Sequence, residues 1–228
     1  VRALRSAIAL GGVASSHLRL AEAYFVLNQH KFFSEEISEA QSITPDDPEP
    51  YYVEGRYWFQ TKQAFAKAEE LFRKALSKDP NHVKSLTHLA ICLRNTQQDE
   101  EAEAFLKRAV GRIESLQLSY YLPYQLLAEI QLLRNDLDIA LESIRKALLM
   151  APQIAENHYL LGKVELAKGY DKEAEASIQK AIAIDEALVE GHYLLARIYR
   201  NRGDANGAKR ELDEFKERKE LYGTRRLN

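Results

Sequence analysis

The chain has 228 residues, and its 32 Lys and Arg against 34 Asp and Glu leave a net charge of −2, which gives no electrostatic reason for binding nucleic acid. Hydrophobic residues at 46% with 29% charged exclude a disordered chain. Only 10 Gly and 6 Pro are present, and 29 Ala and 31 Leu stand against 8 Val, 13 Ile and 5 Thr, a balance that favours helices and argues against a β-rich or α/β fold.

Residues 1–13 read as the remnant of an earlier unit, with a helix over Arg2 to Leu10 closed by Gly11 and Gly12. From Ala14 the chain shows a period near 34, with six units at 14–47, 48–82, 83–116, 121–154, 155–188 and 189–222, and a flexible tail is expected over 223–228. At position 8 of the units stand Ala21, Gly55, Ala90, Ala128, Gly162 and Ala196; at position 20 stand Phe33, Ala68, Ala102, Ala140, Ala174 and Ala208. Position 27 holds Ala40, Ala75, Ala109, Ala147 and Ala181, then Phe215. Small residues recurring at these places let two antiparallel helices approach closely. Larger residues fill the layers between them: Tyr24, Trp58, Leu93 and Tyr199 at position 11, and Ile37, Phe72, Leu106, Ile144, Ile178 and Leu212 at position 24.

The punctuation fits a helix, a turn and a second helix in each unit. Asn28, Asn135, Gly169 and Gly203 occupy position 15, where the first helix ends and a residue tolerant of positive φ is needed. Pro45, Pro80 and Pro152 follow the second helices, which proline cannot continue. Glu114, Glu186 and Glu220 take that place in the other units, where the second helix is expected to run on. The second unit needs one extra residue near Thr61 to Ala64, and Gln117 to Tyr120 separate the third unit from the fourth. The last helix, about Asn206 to Tyr222, reads as a soluble cap with Lys209/Asp213, Arg210/Glu214 and Glu214/Arg218 at i, i+4 spacing, which supports an exposed helix.

Over residues 14–222 this pattern resembles the tetratricopeptide repeat family, most clearly in AENHYLLGKVELAKGYDKEAEASIQKAIAIDEAL at 155–188. The resemblance implies an all-α fold, a right-handed superhelical solenoid of antiparallel helix pairs ending in a C-terminal capping helix. It also implies a concave surface lined by positions 2, 5, 9, 12 and 13 of the first helices. Some members clamp a terminal carboxylate with Lys at 5 and Asn at 9; no unit here has that pair, and Lys84 at position 2 of the third unit is followed by His88 at position 6. Chaperone-tail binding of that type is therefore disfavoured.

No phosphate loop, GxSxG elbow or HExxH motif occurs, so no catalytic residue is assigned. His17, His158 and His192 share position 4 of three separate units, and His30, His82 and His88 are placed in turns or at a helix start, so no metal-ligand cluster and no cofactor is implied. The one cysteine, Cys92, reads as a small buried hydrophobe. A lone thiol favours the cytoplasm, with an exported bacterial protein, many of which lack disulfides, as the alternative. No run of 18 apolar residues is present to make a transmembrane segment.

The inner face carries the candidate chemistry. Tyr at position 5 followed by Arg or Lys at position 9 recurs as Tyr52 and Arg56, Tyr159 and Lys163, and Tyr193 and Arg197. Arg94 with Asn95 and Arg200 with Asn201 fill positions 12 and 13 of the third and sixth units. Tyrosine supplies contact area at low entropy cost and arginine supplies forked donors. These residues point to a non-catalytic scaffold that binds a partner protein or extended peptide, acidic or bearing a free C-terminal carboxylate, and so contributes to complex assembly. Two further readings are the substrate-positioning repeats of a larger enzyme and a bacterial envelope assembly or pilot protein.

Overall fold

The computed structural model describes residues 1, 5, 13–62 and 64–223. Twelve α-helices and no strand are found among them: α1 (Ala14–Val26), α2 (His30–Ile43), α3 (Pro48–Lys62), α4 (Phe65–Lys78), α5 (Val83–Asn95), α6 (Asp99–Leu116), α7 (Leu122–Leu133), α8 (Leu137–Met150), α9 (Ala155–Ala167), α10 (Asp171–Ile184), α11 (Glu190–Asn201) and α12 (Ala205–Gly223). The fold is an all-α helical repeat. It separates into two compact units, Val1–Gln117 with α1 to α6 and Leu118–Asn228 with α7 to α12. Within each unit consecutive helices pack as pairs, and each pair packs on the next. The expected remnant helix with Gly11 and Gly12, and the expected tail at 223–228, lie outside the described residues apart from Arg5, whose Nε donates to Tyr24 Oη at 2.8 Å, and Gly223, which ends α12 instead of opening the tail.

The turn inside each pair is closed the same way. Asn28, Gln97, Asn135, Gly169 and Gly203 all adopt positive φ, between 59° and 80°. The next amide then donates back to the carbonyl at position 11: Gln29 to Tyr24, Gln98 to Leu93, Asp136 to Gln131, Tyr170 to Glu165 and Asp204 to Tyr199, at 2.8–2.9 Å. This bond pattern satisfies carbonyls that the helix end leaves open. Gln97 adopts the left-handed conformation although its residue type does not favour it. In the second pair the equivalent bond runs from Ala64 to Trp58 at 3.1 Å, one residue wider, which accommodates the extra residue.

The small residues sit at the helix contacts. Ala21, Ala90, Ala128, Ala68, Ala102, Ala140, Ala174, Ala40, Ala75, Ala109, Ala147 and Ala181 are all fully buried, and a Cβ added to Gly55 would meet Phe72 Cε1 at 2.6 Å. Position 24 is core in five units, but Leu212 is 37% exposed, contrary to the expectation: α12 is the last described helix, so no further pair covers that face. The absence of proline also has mixed effects. α6 runs on to Leu116, whereas α10 stops at Ile184. There Asp185 Oδ1 accepts the Ala187 amide at 2.9 Å, a local side-chain turn that competes with the helix and ends it.

Candidate functional site

On the first compact unit, α3 and α5 carry Tyr52, Arg56, Arg94 and Asn95. Tyr52 is only 4% exposed. The rings of Phe72, His82 and His88 lie 6.0, 5.5 and 5.3 Å from its own, with Arg56 and Lys84 over it at 5.8 and 5.5 Å. Tyr52 therefore builds the wall instead of presenting an open aromatic face, which corrects the expectation that it floors the surface. Arg56 approaches Glu22 at 3.8 Å. Arg94 is half-buried and Asn95 exposed.

His88 lies inside α5, not in a turn or at a helix start as its sequence context suggested. Its Nδ1 meets the Lys84 carbonyl at 3.0 Å, and burial, together with the charges of Arg56 and Lys84 and against that bond, pushes its pKa down to about 4. Beside it runs a chain of contacts: Ser85 Oγ to His82 Nδ1 at 2.8 Å, then His82 Nε2 to Glu49 Oε2 at 3.1 Å, with Lys84 Nζ on Glu49 Oε1 at 2.8 Å. The order of groups is that of a hydrolase relay, but Ser85 is fully buried in the first turn of α5. No substrate carbonyl reaches its oxygen, a requirement of nucleophilic catalysis. The chain instead ties the start of α5 to the start of α3, and no sequence motif marks it.

The second compact unit gathers the remaining candidates. On α9, Lys163 is exposed and its ammonium stands 5.7 Å over the ring of half-buried Tyr159. Burial raises the Tyr159 pKa, the charge of Glu190 adds to this and that of Arg197 opposes it, so α11 contributes charges around the same hydroxyl. Tyr193 is 48% exposed, with the Phe215 ring 5.8 Å away. Arg197, Arg200 and Asn201 are exposed. Tyr159, Lys163 and Arg197 thus share one environment, while Tyr193, Arg200 and Asn201 extend it along α11.

Among the described residues no group of three or more His, Cys, Asp or Glu is arranged to hold a metal ion, and no helix is long and apolar enough to cross a membrane. Cys92 is buried, and burial, reinforced by the charge of Glu69, pushes its thiol up to about 12.

Comparison with known proteins places this geometry. Residues 41–128 match the cilia and flagella-associated protein 70 middle TPR-like domain, and residues 126–189 match the tetratricopeptide repeat. No curated protein sequence matches the chain. Among solved structures, PilF of Pseudomonas aeruginosa is similar at a TM-score of 0.78 and 17% identity, over 92% of this chain and 92% of that one. PilW, described as a widely conserved type IV pilus biogenesis factor, is similar at 0.74 and 18%, over 87% of this chain and 90% of that one. YrrB, described as a TPR protein with an unusual peptide-binding site, is similar at 0.63 and 15%, over 80% and 91%. At these identities the structures speak to the fold. The two sequence matches, the closing bonds of the turns and the buried small residues lead to one assignment: the chain belongs to the tetratricopeptide repeat family.

Proposed function

We propose that the chain is a non-catalytic protein-interaction scaffold whose second compact unit receives an extended, acidic peptide along α9 and α11 and so helps to assemble a complex. One observation carries the reading: Lys163, Arg197 and Arg200 are exposed on neighbouring first helices and form no ion pair among the described residues. Some other surface cations are matched internally, as Arg73 is with Glu69 and Glu101, and Lys78 with Asp46; what distinguishes these three is that they gather on two neighbouring first helices beside Tyr159 and Tyr193. Acidic side chains or a terminal carboxylate complement the unmatched group, because guanidinium and ammonium donors bind carboxylates through charge-assisted hydrogen bonds. Tyr193 adds contact area.

The test uses a peptide selected on the whole chain from a displayed random library. In the wild type it is expected to shift the backbone amide resonances of α9 and α11. Lys163→Glu with Arg197→Glu removes those shifts while the helical melt stays unchanged, since exposed charges carry little stability. Shifts that persist in the double variant reject the assignment.

A second reading, a pilot protein for assembly in a bacterial envelope, is favoured by the near full-length likeness to PilW, which is described as a pilus biogenesis factor. Co-purification with a pilus subunit from an envelope fraction supports it; a protein confined to the cytoplasm contradicts it.

A further inference from the structure

The two compact units share a run of matching or similar side chains on their first helices, interrupted where Thr87 and Ile91 of the first stand in place of Tyr193 and Arg197 of the second. Glu22, Arg56 and Phe59 of the first unit recur 107 residues later as Glu129, Lys163 and Leu166; Tyr52 and Gly55 recur as Tyr159 and Gly162. Arg94 and Asn95 recur 106 residues later as Arg200 and Asn201. The agreement extends to geometry. Arg56 stands 5.8 Å over the Tyr52 ring and Lys163 stands 5.7 Å over the Tyr159 ring. Val26 and Leu133, also 107 apart, are 84% and 75% exposed, and with Leu149 they are the most exposed large aliphatic side chains among the described residues. The shared register of Val26 and Leu133, at the end of the first helix that opens each unit, places an apolar contact for a ligand side chain at corresponding points of both units.

From this we infer that the chain is bivalent, with each compact unit reading one copy of the same extended segment, apolar at one end and acidic at the other. The apolar end lies toward Val26 or Leu133 and the acidic end toward Arg94 and Asn95 or Arg200 and Asn201, with the position 9 cation between them. Charge complementarity fixes this direction, since each unit runs from an aliphatic residue beside a glutamate to an arginine beside an asparagine. The two sites are not equal: Thr87 and Ile91 stand where the second unit has Tyr193 and Arg197, Arg94 is half-buried where Arg200 is exposed, and Tyr52 is covered where Tyr159 is half-buried. Arg56 also approaches Glu22 at 3.8 Å and must leave that contact, so the first unit binds more weakly. The inference rests on the proposed use of α9 and α11 and adds a second site to it.

The experiment is equilibrium titration of the full chain with a fluorescent synthetic peptide, the tightest binder from a displayed random library. Two peptides bind per wild-type chain. Arg56→Glu leaves one, Lys163→Glu leaves one of lower affinity, and the double variant binds none, each with a wild-type helical melt. One peptide per wild-type chain, lost in Lys163→Glu and kept in Arg56→Glu, overturns bivalence and leaves the single site intact. Binding that neither variant alters, or a library with no binder, overturns both.

Discussion

The ring of Tyr57 on α3 stacks on that of Phe33 on α2, with centroids 4.3 Å apart and planes inclined by 22°. Both residues are buried, and Phe25 and His30 close around them at 5.9 and 5.5 Å from Tyr57. Phe33 stands where four of the other units carry a fully buried alanine. Phe33→Ala matches the repeat but empties this cluster, so it is expected to lower unfolding free energy by about 3–5 kcal/mol. A denaturant midpoint that is unchanged in Phe33→Ala contradicts this packing.

Two glycines should respond to alanine with opposite signs. A Cβ on Gly162 would stand 2.5 Å from Ile178 Cγ1 and 3.2 Å from the Ala174 carbonyl oxygen, whereas one on Gly111, in α6, meets nothing within 4 Å. Gly111→Ala gains roughly 0.5–1 kcal/mol from helix propensity alone. Gly162→Ala gains the same and loses more by forcing apart a closed helix crossing, a net cost of about 1 kcal/mol, and Ala174→Leu at that crossing costs about 1–3 kcal/mol. Thermal melts of the three variants check the order.

Glu165 is buried where other units place an aromatic ring, and it accepts a bond from Ser177 Oγ at 2.7 Å. Burial raises its pKa from 4.5, against the Ser177 bond and the charge of Arg145. A carboxyl with a raised folded pKa contributes stability that is fully present below its unfolded value and lost as pH rises through the folded one. The unit before it solves the same position with Gln131, whose amide, turned as its neighbours require, donates to Ser143 Oγ at 2.8 Å. Glu165→Gln should therefore stabilise the chain by about 1 kcal/mol at neutral pH, an advantage that disappears below about pH 4.5. Chemical denaturation across that range reads the difference directly.

Glu49 runs the other way. Burial pushes its carboxyl up, but hydrogen bonds from His82 and Lys84, with their charges, outweigh it and hold the group at about 2 against an ordinary 4.5. The stability it contributes is present above pH 4.5 and is lost as pH falls toward 2. The gap in unfolding free energy between wild type and Glu49→Gln is expected to be widest at neutral pH and to close across this window. A gap that does not change with pH removes Glu49 from the tie between α3 and α5.

Much of this fold is legible from spacing, because close helix contacts admit only small side chains and turns select residues that tolerate positive φ. Asn28, Asn135, Gly169 and Gly203 signal their turns by residue type, while Gln97 adopts the same conformation through the closing bond from Gln98 to Leu93. The site was less legible. Position 5 labels Tyr52 and Tyr159 alike, yet Tyr52 is covered by Phe72, His82 and His88, rings that arrive from α4, the loop before α5 and α5 itself. Leu212 reads as core by register, but its burial depends on a neighbouring pair that the register does not supply. The Glu49, His82 and Lys84 cluster joins residues 33 to 35 positions apart and follows no motif.

The most direct measurement is the amide spectrum of the whole chain titrated with a library-selected peptide, compared between wild type and Lys163→Glu with Arg197→Glu. The account predicts shifts along α9 and α11 in the wild type and none there in the double variant, with superimposable helical melts. Shifts on those helices that survive both charge reversals would contradict it.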